Sequence, residues 1–283
     1  VHMFFCVSGF IMSFVYLDKV EDTNAKTFFI SRFSRLYPLH FITLIAVLFV
    51  QQVSLYTTET YQLFYFNDLY HFVLHLGFIS AWGLEKGFSF NMPIWSVSLE
   101  IICYLLFFIT AVRLKKINLY VTSIFLVLLI LYNKIVIGSS DTHSDLISCL
   151  QLFLTGMVVF QLSKKFKKLH LIIFSAILLA LSIVGNFKIF IFCPAILLIA
   201  VLFEDNFVKI ISKKLFSFFG NLTYSLYLWQ TPVAIIVILL VKDNINIFYS
   251  YKFFILYFSF LICLSSLSYY LVEKKLQKLI KSL

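Results

Sequence analysis

"RFSRLYPLHFITLIAVLFVQQVSL", residues 32–55, places two arginines three apart and then runs from Leu36 to Leu55 without an Asp, Glu, Lys or Arg. At about 1.5 Å of rise per residue, an uncharged run of about 20 residues matches the roughly 30 Å hydrocarbon core of a bilayer. The stretch therefore reads as a membrane-spanning helix entered past a pair of guanidiniums, and the rest of the chain repeats the pattern.

Of the 283 residues, 61% are hydrophobic and only 13% charged, with a mean hydropathy of +0.97. A soluble globule of this length needs a polar surface that such a composition cannot supply, whereas lipid accepts Phe, Leu and Ile facing outward. Apolar runs at about 1–17, 36–55, 95–112, 118–137, 146–162, 169–187, 189–203, 222–241 and 253–272 predict nine spans. The expected fold is an all-α integral membrane protein, a polytopic helical bundle forming one transmembrane domain over 1–283. The run 69–82, "LYHFVLHLGFISAW", is short for a span and reads as a crossing or as a re-entrant or interfacial segment.

The formal net charge of +10 does not point to nucleic acid, because 18 of the 23 Lys and Arg residues sit in five clusters between the runs, with Lys86, Lys134, Lys188, Lys242 and Lys252 elsewhere. The clusters are Lys19, Lys26, Arg32 and Arg35; Arg113, Lys115 and Lys116; Lys164, Lys165, Lys167 and Lys168; Lys209, Lys213 and Lys214; and Lys274, Lys275, Lys278 and Lys281. If 69–82 does not cross, all five fall on one side, the asymmetry expected of cytoplasmic loops in contact with membrane lipids. Residues 273–283, "EKKLQKLIKSL", put Leu276, Leu279, Ile280 and Leu283 on one helical face and lysines on the other, so this basic amphipathic tail is expected to lie on the inner leaflet. The stretch 204–221 reads as a second surface helix. Cys6, Cys103, Cys149, Cys193 and Cys263 lie within the runs without close spacing, and read as packing residues and not as a disulfide or metal framework.

Few polar residues interrupt the apolar runs. Glu100 stands about five residues inside the run that begins at Trp95, where a carboxylate costs up to about 3 kcal/mol on insertion scales. It serves a structural ion pair, marks a water-exposed helix end, or carries chemistry. Arg32 and Arg35 share one face if the stretch is helical, and two guanidinium forks at a membrane edge suit phosphate; they also suit lipid headgroups or simple orientation. Asp68, His71 and His75 fall on one helical face with metal-ligand spacing, but His and Asp are ordinary at an interface and no metal site is expected. His40, just after Pro38, reads as a packing or capping residue.

Four stretches, "FFCVSGFIMSF" (4–14), "RFSRLYP" (32–38), "MPIWSVSLEIICYLLF" (92–107) and "FGNLTYSLYLWQTP" (219–232), taken in this order, resemble the successive motifs of the membrane acyltransferase-3 family, which includes bacterial O-antigen and surface-polysaccharide acetylases. The resemblance implies ten spanning helices in the bacterial inner membrane. It implies transfer of an acyl group, usually acetyl from acetyl-CoA, to a sugar hydroxyl of an envelope glycan or its lipid-linked saccharide precursor. By position, Arg32 and Arg35 match the family's R-x-x-R pair, which engages the acyl-CoA donor. Glu100, with Trp95, Ser96, Ser98 and Tyr104, matches its tryptophan-serine-glutamate signature, and Ser8 and Gly9 match its serine-glycine-phenylalanine turn. Two positions depart from the pattern: His2 stands where the family usually has an acid, and Gln230 where many members have histidine. The resemblance further implies an N-terminally truncated chain, in which the family's first helix, carrying an arginine and the catalytic histidine, precedes residue 1. The rival readings are a transporter or flippase for a lipid-linked sugar, which also needs many spans and a few buried charges, and an inactive acyltransferase fragment.

Overall fold

The computed structural model describes residues 1–113, 117–137, 144–185, 188–204, 206, 212–241 and 245–282, so the expectations placed on Lys115, Lys116, Lys209 and Leu283 lie outside the described residues. Among the described residues the protein is helical, with no strand. The helices are α1 (His2–Tyr16), α2 (Ala25–Thr58), α3 (Leu69–Leu76), α4 (Ile94–Phe107), α5 (Leu119–Tyr132), α6 (Ser144–Lys165), α7 (Lys168–Val184), α8 (Lys188–Leu202), α9 (Lys213–Val241), α10 (Tyr251–Ser268) and α11 (Lys274–Lys281). Wide π-helical turns extend α4 over Phe108–Arg113 and α5 over Asn133–Ile137, and join α10 to α11 over Tyr269–Glu273. The chain is an all-α membrane protein. Among the described residues, five helices are long and apolar enough to cross a bilayer: Ala25–Thr58, Ile94–Val112, Asp145–Lys165, Lys213–Val241 and Tyr251–Lys281.

Several boundaries differ from the sequence reading, each for a physical reason. The helix expected at 36–55 starts at Ala25 and carries both arginines, because nothing between Ala25 and Pro38 breaks it. Similarly, α9 begins at Lys213, so the second half of the expected surface helix at 204–221 is the first two turns of a spanning helix. The amphipathic tail likewise continues α10 through the π turn. By contrast, α7 and α8 have 17 and 15 residues, at or below the practical minimum for a span. The run 69–82 yields only the eight-residue α3, roughly 12 Å long, which is too short to cross.

The chain divides into two compact units. One comprises Val1–Ala25 and Leu99–Lys213. In it α1 packs along α6, α5 lies against α6, and α7 pairs with α8. The α1/α6 contact is a backbone approach made possible by glycine on both sides. A Cβ on Gly9 would stand 1.9 Å from the carbonyl oxygen of Phe153, and one on Gly156 would stand 1.9 Å from that of Cys6. Small residues at the crossing are the usual means of association where lipid removes the hydrophobic drive between helices. Phe10 and Phe14 then close edge-on over Phe160, with centroids 5.6 and 6.2 Å away. The Lys164 ammonium pairs with Asp18 at the basic end of α6.

The other unit comprises Lys26–Ser98 and Lys214–Leu283. Leu44 and Val47 of α2, Phe90 and Ile235 of α9 are fully buried at its centre, and Phe72, Leu76 and Leu239 pack around them. Pro232 lies inside α9, where a proline has no N–H to give the carbonyl four residues back. That carbonyl, on Leu228, accepts instead from Asn91 Nδ2 at 3.2 Å, and the same amide donates to Thr43 Oγ1 at 3.0 Å. The freed carbonyl is thus satisfied by a side chain from the segment between α3 and α4.

Candidate functional site

Glu100 lies on the second turn of α4 and is 1% exposed. Its Oε1 accepts two hydroxyls, from Ser8 of α1 and from Tyr104 one turn further along α4 at 2.5 Å. Those hydroxyl oxygens stand 3.3 Å from each other. Helical spacing explains the Tyr104 bond, since residues four apart sit one above the other on a face. Ser8 is held in reach by its neighbour Gly9, whose missing side chain lets α1 lie against the backbone of α6. A buried carboxylate loses its hydration, and charge-assisted hydrogen bonds from two hydroxyls on one oxygen offset much of that loss. The result is a compact acid with its orientation fixed from two helices. Three residues on, Cys103 Sγ lies 3.5 Å from Cys149 Sγ, both buried and both free thiols. Cys6 and Cys193 are also buried, whereas Cys263 is exposed on α10 and does not pack as expected.

The other signature residues of α4 belong to the second unit and have different tasks. Ser96 shares a hydrogen bond of 3.0 Å with Tyr227 Oη on α9 and donates to the carbonyl of Pro93 at 3.1 Å. Ser98 Oγ accepts from the amide of Ala81 at 3.2 Å, and its carbonyl accepts from Trp82 Nε1 at 3.0 Å. Ser98 therefore anchors the segment after α3. Trp95 is half-buried one residue before Ser96. Gln230 is half-buried on α9, where its carbonyl accepts from Tyr257 Oη at 3.3 Å.

Arg32 and Arg35 both lie on α2, so their spacing of three does put them on one face. Arg35 is exposed and within electrostatic reach of Glu273, whose carboxylate accepts from Ser225 Oγ at 2.5 Å. Arg32 is half-buried, with Nε 3.4 Å from Ser31 Oγ. Just beyond, Tyr224 Oη donates to the carbonyl of Leu36 at 2.8 Å, tying α2 to α9 at the level of the arginines.

The triplet Asp68, His71 and His75 has become a cap and two separate bonding centres. Asp68 is the N-cap of α3, accepting from the amide of His71 at 2.9 Å and bonding its Nδ1 at 2.7 Å. His71 Nε2 in turn accepts from the amide of Lys86 at 3.3 Å. His75 Nε2 bonds Ser89 Oγ at 2.9 Å and Glu85 Oε1 at 3.1 Å. His40 is buried under Phe78, 4.3 Å away, with Nε2 2.8 Å from the carbonyl of His75. Sequence reasoning missed Glu85 and Ser89 in this network because nothing in their spacing distinguishes them from ordinary loop residues, and it missed the bond between Asn91 and Thr43 of α2 because the two are 48 residues apart.

The carboxylate of Glu100, buried beneath two hydroxyls, is thus a polar centre inside the first helical unit of a membrane protein. An acyltransferase domain model, that of the acyltransferase-3 family, matches residues 1–273, so the chain belongs to this family. No curated protein and no solved structure matches it.

Proposed function

We propose that this protein transfers an acetyl group from acetyl-CoA to a sugar hydroxyl of an envelope polysaccharide or of its lipid-linked precursor, at the bacterial inner membrane with the basic loops in the cytoplasm. The observation that carries the reading is the Glu100 carboxylate, buried in a family member between the hydroxyls of Ser8 and Tyr104. In the reaction the acceptor oxygen attacks the thioester carbonyl, a C–O bond forms, the C–S bond breaks, and the hydroxyl proton passes by way of a base to the departing thiolate. A buried negative charge stabilises the cation that develops on the base, and a fixed one does so without reorganising at the moment of transfer. Ser8 and Tyr104 position Glu100 for that task. Arg32 and Arg35 pair with the phosphates of the coenzyme, which the forked guanidinium suits better than an ammonium.

Acetylation of membranes expressing Glu100→Gln tests the first part. The amide keeps the size and loses the charge, so transfer falls to background while the protein remains inserted at wild-type abundance. Transfer at the wild-type rate would remove Glu100 from the reaction. Arg32→Ala and Arg35→Ala weaken coenzyme binding with little change in melting temperature, and lysine at either position restores binding only in part. Unchanged coenzyme affinity in both alanine variants would return the arginines to orienting the helix.

A further inference from the structure

Within the first unit, α5, α6, α7 and α8 line a cavity of about 700 Å3, open on one side, that the acyl-transfer reading does not use. Its walls are Leu126, Ile130, Val158, Leu178, Phe190 and Pro194, with further apolar residues between them. The volume equals that of on the order of twenty water molecules in the liquid, yet apolar cavities stay dry, and a void of this size left empty is costly. Hydrocarbon is the filling that suits these walls.

The polar residues of the lining identify the head that the hydrocarbon carries. Among the described residues they are Asn133, Lys134, Gln151 and Thr155, and none of these is acidic. Gln151 and Thr155 are already committed, Gln151 Nε2 donating to the carbonyl of Leu129 at 3.0 Å and Thr155 Oγ1 to that of Gln151 at 2.6 Å. Asn133 and Lys134 open the π turn that ends α5, and Lys134 is exposed. Helices α5 and α6 are antiparallel, since Gln161 meets Thr122 near one end and Gln151 meets Leu129 further along. Lys134 therefore stands at the end of the helix pair away from the basic cluster at Lys164 and Lys165. The acid at the start of α6, Asp145, is not in the lining and is within electrostatic reach of His2 on α1.

We infer that this cavity binds one acyl chain of an anionic membrane phospholipid, whose phosphate is held by Lys134 and Asn133 at the mouth. The site is a lipid-binding site independent of acyl transfer, and its occupancy stabilises the α5–α8 bundle.

The test is thermal unfolding of the full chain, delipidated in detergent, with phosphatidylglycerol or phosphatidylcholine of the same chains added, together with native mass spectrometry of retained lipid. Ligand at about 100 times its dissociation constant raises the melting temperature by roughly 5 °C for a protein of this size. The lysines of α11 also attract anionic lipid, so the informative quantity is the part of the shift that site variants remove. Lys134→Gln, an exposed substitution with no packing to disturb, is expected to abolish the advantage of phosphatidylglycerol over phosphatidylcholine. Leu178→Trp, which sets an indole in the path of the chain, is expected to reduce retained lipid. Full shift and full retention in both variants would overturn the site. An equal shift with phosphatidylcholine in the wild type would overturn the anionic head. A larger shift with an isoprenoid phosphate than with phosphatidylglycerol would overturn the phospholipid and assign the cavity to a carrier lipid.

Discussion

Replacing Gly156 with alanine tests the support of Glu100 without touching any polar residue. The added methyl would stand 1.9 Å from the carbonyl oxygen of Cys6 and 2.8 Å from the amide nitrogen of Phe10, and both are backbone atoms that no rotamer change can move. Ordinary contact begins near 3.4 Å, so α1 and α6 must separate by about 1.5 Å at the crossing. Ser8 lies within two residues of both clashing positions and moves with α1. Its 3.3 Å approach to Tyr104 opens beyond hydrogen-bond distance, and its bond to Glu100 lengthens by a similar amount. Overpacking costs about 1–3 kcal/mol and loss of a hydrogen bond to a charged group about 1.5–3 kcal/mol. Taking about 3 kcal/mol for the two together, the melting temperature in detergent falls by roughly 6 °C or more. Acyl transfer by the folded fraction falls as well. Ser8→Ala, which removes the hydroxyl without the wedge, accounts for the smaller part of the thermal loss and most of the activity loss. A Gly156→Ala protein that melts within about 1 °C of wild type and transfers the acyl group at the wild-type rate would show that the glycines do not set the position of Ser8.

Two further expectations concern the second unit. Asn91→Leu leaves the Leu228 carbonyl without its donor and costs about 1–3 kcal/mol in thermal unfolding. Pro232→Ala restores an amide that can donate to that carbonyl, so in its background the same change costs less by about 1 kcal/mol, and a double-mutant cycle with no coupling would refute the account. The amide and ring hydrogen bonds from His71 hold the exposed Asp68 carboxyl below the usual aspartate range. A depressed folded-state value contributes stability above the ordinary value and loses it as pH falls through the depressed one. Asp68→Ala is therefore expected to cost up to about 1 kcal/mol near neutral pH and to flatten the acid limb of the stability profile; an unchanged acid limb would place the acid sensitivity elsewhere.

Composition and uncharged run length made the membrane class legible, because lipid imposes a length and an apolarity that few other environments require. Helix ends were less legible. Charged residues such as Arg32, Arg35 and Lys213 mark the membrane boundary, and the helices continue through them because a helix pays no penalty for leaving the bilayer. Glu100 stood out because of its surroundings, and Tyr104 follows from a spacing of four. The Ser8 partnership could not be read from local pattern, since it joins residues 92 apart through a glycine contact with α6. Ser96 and Ser98 look equivalent in sequence, yet successive odd or even positions on a helix point about 200° apart. Ser98 thus turns away from the stripe shared by Ser96, Glu100 and Tyr104, and bonds Ala81.

The same logic explains why the segment between α2 and α4 needs so many buried polar groups. A spanning helix satisfies its own backbone, but residues 59–93 contain only the two turns of α3 and must find partners for the rest. Among the described residues, every non-glycine with positive φ lies here: Glu59, Leu63, Phe78 and Phe90. Such conformations cost about 1–3 kcal/mol each and persist only where surrounding contacts over-determine them. Phe78 is pinned by stacking on His40 and by its amide bond to the carbonyl of His75 at 3.0 Å. Phe90 is pinned by burial in the core and by donating to Asn67 Oδ1 at 3.0 Å. His40, His75, Asn67 and Asn91 thus hold a non-helical segment in one conformation. That requirement accounts for their burial, and Glu100, whose Oε1 accepts from the hydroxyls of Ser8 and Tyr104, stands apart from them because it lies within a regular spanning helix and not in a loop.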